Sequence, residues 1–478
     1  MRGAAALRAA ALRAASCAAA LVLAGCASDA GPRADPLELE PGGWRDPERT
    51  LRTATFEDYA ADVRARLAEF RVPLDPAHAA RELELAAPRE YRPDPDCGGE
   101  TRGVAILVHG LADTAYSLAD VAATLAGECL VARTMLLPGH GTRAADLLEV
   151  DHEDWLASVR HLVAQAREEH GAPLLVGVSL GAILGLAVAL EPDADVGALV
   201  SISPGWRLES ARLVRFTPWL RHLWRWVDEG ARDDWARYEA MPMNGIAETW
   251  LAVRALDERV ARRPGVEVPW LVVQSGDDAI VDGAANRALF ESLARSPESL
   301  LLEFRTEAGD AARRARGETV PSDAYGTALA AGDGDETGRD GAGSAGVAVA
   351  GAASAEAASE APPLAGAAPR AGDGPRTVLA RGDDPGARVT AVTHLGVHVS
   401  PDNPHWGADG DFRACGASTP REPAEVDACE RAVRPWFTGA STPAPPGEPS
   451  ARGTFNPHYA TLARTLGAFV DAWLETSP

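Results

Sequence analysis

One short stretch, residues 173–185, constrains the fold of this chain more than any other. Its apolar run at 174–176 predicts a buried strand, and the apolar run from 182 onward predicts a buried helix. Between them stands Gly-Val-Ser-Leu-Gly, a Gly-x-Ser-x-Gly pattern centred on Ser179. A sharp turn from strand to helix strains the serine backbone and holds its hydroxyl clear of the sheet. The pattern therefore predicts Ser179 as a nucleophile.

Strand-like and helix-like segments alternate on both sides of this turn. Strands are predicted at 103–108, 130–137, 197–203, 269–274 and 300–305, and helices at 116–127, 151–169, 283–295 and 456–475. Such alternation predicts a parallel sheet covered by helices on both faces. A hydrophobic content of 46% is sufficient for the core of one large α/β domain.

Charge and motif content exclude several classes of function. The net charge of −23 argues against nucleic acid or an anionic membrane as a ligand. The sequence contains no His-Glu-x-x-His run, no Cys-x-x-Cys pair and no glycine-rich phosphate loop after a strand. We therefore expect neither a metal nor a cofactor, and we expect the chain to act as a monomer.

The first 25 residues have the pattern of a secretion signal. Basic residues precede an apolar core at 14–24, which is too short to serve as a stable membrane span. The core ends in Leu-Ala-Gly-Cys at 23–26, which resembles a bacterial lipobox. The resemblance implies acylation of Cys26, and a location in the bacterial envelope on the outer membrane or its periplasmic face. Contact with the membrane is expected through this lipid anchor only.

Three motifs occur in a recognisable order: His-Gly-Leu at 109–111, Leu-Pro-Gly-His-Gly at 137–141 and the serine pentapeptide at 177–181. In this order and spacing the chain resembles the α/β-hydrolase superfamily, most of all its lipase/esterase and monoacylglycerol-lipase-like branch. The resemblance implies an α/β-hydrolase fold with a mostly parallel sheet. It also implies that the backbone N–H groups of Leu111 and Leu180 bind the oxyanion, and that His109 braces neighbouring loops.

The catalytic acid should follow the strand at 269–274, where two aspartates compete. The superfamily pattern Asp-x-x-Val fits Asp278-Ala279-Ile280-Val281, so Asp278 is favoured over Asp277. Asp277 would need the valine one position earlier, where Ile280 stands.

The general base must follow Asp278 in the chain, because the order in this fold is Ser, Asp, His. The candidates are His394, His398, His405 and His458. His394 is favoured because it ends a strand-like run at 389–393, where a side chain can be held rigidly above the sheet edge.

Two further segments interrupt the core. Residues 206–262 contain six tryptophans, and the resemblance implies a helical cap that is either an acyl-binding wall or an aromatic packing layer. Residues 307–386 are dominated by Ala, Gly, Asp, Glu and Pro, which predicts a disordered insertion. The expected organisation is a signal peptide at 1–25, a flexible tether at 26–53, core segments at 54–205, 263–306 and 387–478, the cap, and the insertion.

Four cysteines remain after the signal peptide and the lipidation site, which permits three disulfide pairings in an exported protein. In the α/β-hydrolase sheet, the strands that follow Cys97 and Cys129 are neighbours, which favours a bond between them. Cys415 and Cys429 bracket a short loop and form the second expected pair.

Together these features predict a serine hydrolase that cleaves carboxylic esters through an acyl-enzyme, with a small-molecule ester as substrate. A peptidase, thioesterase or acyltransferase would use the same residues and remains an alternative. A lipoprotein that keeps the scaffold only for binding is a third possibility.

Overall fold

The computed structural model describes residues 34–42, 47–192, 196–230, 232–315, 375–415, 423–439 and 443–476. The predicted signal peptide and Cys26 lie outside these residues, as does most of the predicted insertion, at 316–374. No helix in the described ranges is long and apolar enough to span a membrane.

Twelve strands are present in the described ranges. They are β1 (Arg89–Tyr91), β2 (Gly103–Val108), β3 (Leu130–Thr134), β4 (Leu174–Val178), β5 (Ala198–Ile202), β6 (Trp226–Asp228), β7 (Met241–Pro242), β8 (Trp270–Ser275), β9 (Leu300–Arg305), β10 (Arg376–Arg381), β11 (Trp436–Thr438) and β12 (Ser450–Arg452). Eight of them form one sheet in the order β1-β3-β2-β4-β5-β8-β9-β10. Within this sheet, only β1 runs antiparallel to its neighbour.

The α-helices of the described ranges surround this sheet. They are α1 (Pro47–Thr50), α2 (Phe56–Phe70), α3 (Ala79–Ala86), α4 (Ala119–Gly127), α5 (His152–His170), α6 (Leu180–Ala189), α7 (Ala211–Val214), α8 (Thr217–Leu220), α9 (Met243–Arg262), α10 (Gly283–Leu293), α11 (Glu307–Ala315), α12 (Pro423–Arg431) and α13 (Tyr459–Thr476).

The central strands are buried on both faces, as their continuous apolar runs require. Along β2, Ile106 and Val108 pack into a core that includes Trp155 of α5, whereas Leu107 packs into a second core that includes Phe469 of α13. Because successive strand side chains point to opposite faces, one apolar run fills two cores. The predicted mostly parallel sheet with helices on both faces is thus confirmed.

The prediction of disorder throughout 307–386 is wrong at both ends of that segment. Residues 307–315 form α11, and β10 pairs in parallel with all six residues of β9. A strand at this edge satisfies backbone N–H and C=O groups that β9 would otherwise leave unpaired. The average composition of 80 residues conceals a six-residue strand of this kind.

A second correction concerns the run before His394. Residues 389–393 do not form a strand, because Val389 makes only isolated bridges to Asp384 and Phe437, and the chain then continues as a loop. The last strand of the sheet is β10, and His394 lies in the loop region after it. The N–H groups of Thr390 and Val392 instead donate to the carbonyls of Phe437 at 2.9 Å and Gly382 at 2.8 Å, and the carbonyl of Val392 accepts from the Ser275 hydroxyl.

The expected tether is also partly packed on the core. Glu38 is buried, forms an ion pair with Arg232 at 3.0 Å and accepts a hydrogen bond from the Ala144 N–H at 3.0 Å. Burial nevertheless raises the pKa of the Glu38 carboxyl, an effect that the nearby Arg232 charge opposes. A segment that buries a paired carboxylate is fixed in place, so the tether prediction is wrong for residues 34–42. It is also wrong for residues 47–53, where α1 forms and the Thr53 carbonyl accepts from Gln165 of α5 at 2.7 Å.

Both expected disulfides are present in the structure. Cys97 is bonded to Cys129, and the bond joins the residues that precede the neighbouring strands β2 and β3. Cys415 is bonded to Cys429 inside a third apolar cluster, which includes Trp406, Phe437 and Phe455. The C-terminal part of the chain therefore supplies most of a small core beside the sheet, which Tyr116 and Ala236 complete.

Candidate active site

Ser179 stands at the turn between β4 and α6 with strained backbone angles, φ 52° and ψ −108°. The flanking glycines are required by space. A methyl group at Gly177 would overlap the backbone of Gly181, and one at Gly181 would overlap the carbonyl of Val108. Strain of this kind persists only where the surroundings enforce it, and here it presents the serine hydroxyl at the C-terminal edge of the sheet.

The structure brings Ser179, Asp278 and His394 together. The Nε2 atom of His394 lies 3.0 Å from the Ser179 Oγ, and its Nδ1 atom lies 2.6 Å from the Asp278 Oδ2. The side chains of His394 and Asp278 are 5% and 1% exposed, so water hardly competes for the bond between them. A carboxylate on Nδ1 fixes the tautomer in which Nε2 can accept the serine proton.

The two candidate aspartates point in different directions. The Oδ1 atom of Asp278 accepts hydrogen bonds from the N–H groups of Ile280 at 2.8 Å and Val281 at 3.2 Å, which leaves Oδ2 for His394. Val281 is buried, as the Asp-x-x-Val pattern requires. Asp277 instead accepts from the Thr306 N–H at 3.1 Å, and burial raises the pKa of its carboxyl.

The loop of His394 is held by hydroxyl groups at the ends of the strands. Ser203, after β5, donates to the carbonyl of His394 at 3.0 Å, and Ser275, at the end of β8, donates to the carbonyl of Val392 at 2.6 Å. Thr393 donates to the carbonyl of Gly453 at 2.7 Å. Sequence reasoning missed these three residues, although a serine at or after each of two parallel strands was a usable signal.

One of the two expected oxyanion donors follows the serine in sequence, and the other follows a glycine that packs against it. Leu180 is the first residue of α6, and Leu111 follows Gly110, where an added methyl would lie 3.4 Å from the Cβ of Ser179. Within the described part of the chain, neither N–H is taken up by a backbone carbonyl. Both donors therefore stay available for charge that develops on a substrate oxygen.

His109 braces two loops, as the resemblance implied. Its Nδ1 bonds the Gly110 carbonyl at 2.7 Å, and its Nε2 accepts from the Leu137 N–H at 3.0 Å. Together the two contacts require the neutral ring with its proton on Nδ1, because a charged ring could not accept through Nε2. Burial lowers the pKa of His109, which favours that neutral form.

None of the other three candidate histidines forms a hydrogen bond with Ser179 or Asp278. His405 lies between Asp234 and Asp411, and His458 bonds the carbonyl of Asp383 at 2.9 Å. His398 is fully buried, and neither of its ring nitrogens has a hydrogen-bond partner among the described residues. Burial first, and the charges of Arg237 and His394 next, lower the pKa of His398 to about 3.

A contact between the cap and the loop of Leu111 also escaped sequence reasoning. The Nε of Arg237 lies 2.5 Å from the Oδ1 of Asp113, and the Tyr238 N–H donates to the carbonyl of Ala112 at 2.9 Å. The guanidinium of Arg237 packs 3.9 Å from the ring centroid of Trp406. These contacts fix the 110–113 loop from the cap side.

We expect Arg237→Gln to lower kcat by about tenfold with KM nearly unchanged, because Leu111 would no longer be held in position for the transition state. Steady-state kinetics on a soluble ester would measure both constants. Asp113→Asn should have a similar effect, and the double variant should lose little more than either single one. A change confined to KM would contradict a role in oxyanion positioning.

Asp278→Asn is expected to lower kcat by roughly 10⁴-fold, because an amide can hold His394 in the wrong tautomer and cannot stabilise the imidazolium. Asp277→Asn is the matched control, since its Oδ can still accept from Thr306, and it should keep most of the activity. The same ester assay distinguishes the two. Equal losses would show that the acid has been assigned incorrectly.

The sheet, the strained serine turn and the order Ser, Asp, His together define an α/β-hydrolase fold. Residues 99–302 match the Hydrolase_4 family model, which is described as serine aminopeptidase, S33. The match extends from before β2 into β9, so it includes Ser179 and Asp278 and ends before His394. A comparison with curated proteins finds no match.

Solved structures with a similar fold include several lipolytic enzymes. A structure from work on LipS and LipT, two metagenome-derived lipolytic enzymes, is 18% identical, with a TM-score of 0.38 over 48% of this chain and 96% of that chain. Monoacylglycerol lipase of Paleococcus ferrophilus is 18% identical, with a TM-score of 0.38 over 48% and 95%. A soluble variant of monoglyceride lipase from Saccharomyces cerevisiae is 13% identical, with a TM-score of 0.39 over 46% and 82%.

Proposed function

We propose that this protein is a serine hydrolase that cleaves carboxylic esters through an acyl-enzyme. The observation that carries the proposal is the continuous hydrogen-bonded chain from Ser179 through His394 to Asp278, with distances of 3.0 and 2.6 Å. A serine hydroxyl is a weak nucleophile near neutral pH unless a base of this kind accepts its proton.

In the proposed reaction, Ser179 attacks the ester carbonyl while His394 takes the serine proton. The charge that develops on the carbonyl oxygen is stabilised by the N–H groups of Leu111 and Leu180. His394 then gives its proton to the departing alcohol, and Asp278 stabilises the intervening imidazolium. A water molecule, activated by the same histidine, hydrolyses the acyl-enzyme. These steps need no cofactor.

A second candidate function is that of an aminopeptidase, which the description of the matching family favours. An aminopeptidase has to bind the ammonium group of its substrate, for which a free carboxylate near the serine is suited. The carboxylate of Asp113, in the loop beside the serine turn, is already paired with Arg237. Arg452 is mostly buried within electrostatic range of Asp278, Arg237 and Glu239. Burial, and then the charge of Arg237, lower the pKa of Arg452. This environment favours a substrate without a cationic end.

Two measurements on the wild-type protein test the proposal. A fluorophosphonate probe should label Ser179, and a panel of p-nitrophenyl esters should be hydrolysed much faster than aminoacyl p-nitroanilides. Labelling with a preference for the anilides would favour the aminopeptidase. The absence of labelling would favour a lipoprotein that uses the scaffold only for binding.

We also propose that the mature protein is anchored in the bacterial envelope by a lipid on Cys26. The proposal is supported by the basic N-terminus, the apolar core at 14–24 and the Leu-Ala-Gly-Cys run that ends at Cys26. Acylation would leave the hydrolase domain attached to a membrane surface.

Cys26→Ser is therefore expected to prevent acylation and to weaken membrane retention. Metabolic labelling with a tagged fatty acid and fractionation of the cells at high salt would measure the two effects. Cys17 lies inside the apolar core, so Cys17→Ser is the matched control, and this variant should be acylated normally at Cys26. Fatty-acid incorporation into the Cys26→Ser protein would contradict the assignment of the lipidation site.

A further inference from the structure

The cap carries a cluster of exposed large apolar side chains between residues 211 and 227. Leu213, Phe216, Trp219, Leu223, Trp224 and Val227 are 65%, 49%, 64%, 57%, 49% and 44% exposed. Across the described part of the chain, six of the eleven exposed large apolar side chains fall in this segment of 17 residues. Single exposed apolar residues are ordinary, but a contiguous group of this kind marks an interaction surface. We call residues 211–227 the docking face.

The docking face belongs to the folded cap and is not a loose loop. Thr217 is buried, and the Nη1 of Arg221 donates to the Oδ1 of Asn244 at 2.9 Å and forms an ion pair with Glu248, both on α9. The backbone N–H of Met243 donates to the carbonyl of Arg225 at 2.8 Å. One side of the segment is therefore fixed to the long cap helix, and its apolar residues project from the other side.

Basic residues are interleaved with the exposed apolar ones. Arg212, Arg215 and Arg225 are exposed, and the sequence from 211 to 227 contains no acidic residue. None of the three guanidiniums forms an ion pair with a residue that the structure describes, and that of Arg215 lies 4.7 Å from the ring centroid of Phe216. In a chain with a net charge of −23, a basic and apolar surface is a local reversal of the average.

This surface adjoins the catalytic residues. The segment that leads into it pairs with the segment that follows Asp278. Leu208 bridges to Val281, the Glu209 N–H donates to the carbonyl of Ile280 at 3.1 Å, and the Asp282 N–H donates to the carbonyl of Arg207 at 2.9 Å. Ile280 is itself 43% exposed and extends the apolar surface towards the site.

We propose that the docking face binds the surface of a phospholipid bilayer and holds the active site next to it. Exposed tryptophans suit the headgroup level of a membrane, and unpaired guanidiniums suit its phosphate groups. Asp228 and Glu229 are exposed directly after the face. The rest of the acidic excess lies elsewhere on the chain, and at physiological salt its field is largely screened beyond about 8 Å. The face adds a second membrane contact to the lipid anchor expected at Cys26. Binding of the docking face to a bilayer does not depend on the proposed function. Only the idea that lipid esters of the bilayer are the substrate rests on it.

The test measures flotation of the full chain with vesicles in a Cys26→Ser background, so that lipidation does not contribute and the N-terminal segment is identical in all variants. Vesicles of phosphatidylcholine alone and with phosphatidylglycerol are compared. Trp219→Ser combined with Trp224→Ser should weaken partitioning into both by at least about tenfold, because each tryptophan loses a large buried area. Arg212→Gln, Arg215→Gln and Arg225→Gln together should remove most of the preference for phosphatidylglycerol.

Matched controls come from exposed residues elsewhere. Val433→Ser removes an apolar side chain that is 87% exposed, and it should leave flotation unchanged. Arg92→Gln, Arg431→Gln and Arg434→Gln together remove three arginines whose side chains are 85%, 72% and 66% exposed, and the preference for phosphatidylglycerol should persist.

Equal flotation of the docking-face variants and the controls would overturn the proposal. So would a tryptophan variant that changes the mass of the protein in solution without changing flotation, because the face would then join two copies of the chain. A soluble p-nitrophenyl ester gives the separate readout for the proposed function. It should be hydrolysed equally by the wild type and the docking-face variants, whereas hydrolysis of monoacylglycerol in vesicles should fall along with flotation.

Discussion

Ser179→Ala is expected to lower kcat for ester hydrolysis by roughly 10⁶-fold while leaving the fold intact, because the covalent route through the acyl-enzyme is lost. Circular dichroism and thermal unfolding would show that the variant is folded, since alanine fits wherever serine does in the turn between β4 and α6. Ester turnover and fluorophosphonate labelling would both be measured.

Ser296→Ala is the matched control for this substitution. Ser296 accepts a hydrogen bond from the Glu298 N–H at 3.3 Å in the turn before β9, at the edge of the sheet opposite the active site. Loss of this hydroxyl and its hydrogen bond should not affect ester turnover. Ester hydrolysis by Ser179→Ala at the wild-type rate would show that the strained serine is not the nucleophile.

His394→Ala is expected to be as severe as Ser179→Ala, because the serine and its base act as one unit. The double variant should therefore be no slower than either single variant, since losses in such a unit are not additive. The geometry gives the reason: the ring of His394 is the only described imidazole that bonds both Ser179 and Asp278.

Three other histidines serve as controls for this prediction. His458→Gln changes a residue that bonds only the carbonyl of Asp383 and should be fully active. His398→Gln and His405→Gln should keep at least roughly a tenth of the wild-type kcat, because neither ring contacts the serine or the acid. Near-complete loss of activity in His405→Gln, with an active His394→Ala, would assign the base to a different residue.

Local sequence determined the parts of this protein that depend on neighbours in the chain. The turn at Ser179 needs a strand, two glycines and a helix within about a dozen residues, and all of these are visible in one stretch. The continuous apolar runs of β2, β4 and β8 are long enough to identify a sheet that is buried on both sides. Asp278 was favoured from sequence because it fits the Asp-x-x-Val pattern, and Val281 is buried as that pattern requires.

Other features were decided only by contacts between distant parts of the chain. β10 exists because β9 offers it an unpaired edge, and the loop of His394 is held by hydroxyls of Ser203 and Ser275 where a strand was expected. Arg237 meets Asp113 across 124 positions of sequence, and no local pattern connects them.

The same distinction separates the aromatic residues of the cap. By composition alone, the six tryptophans of 206–262 could all have been packing residues. Trp206 is buried against Trp270 of β8, whereas Trp219 and Trp224 face outward. Periodicity identifies a buried face only in an element long enough to have one, and α7 and α8 have a single turn each. Which tryptophans are buried was therefore decided by the packing of this segment on α9, and the sequence by itself could not determine it.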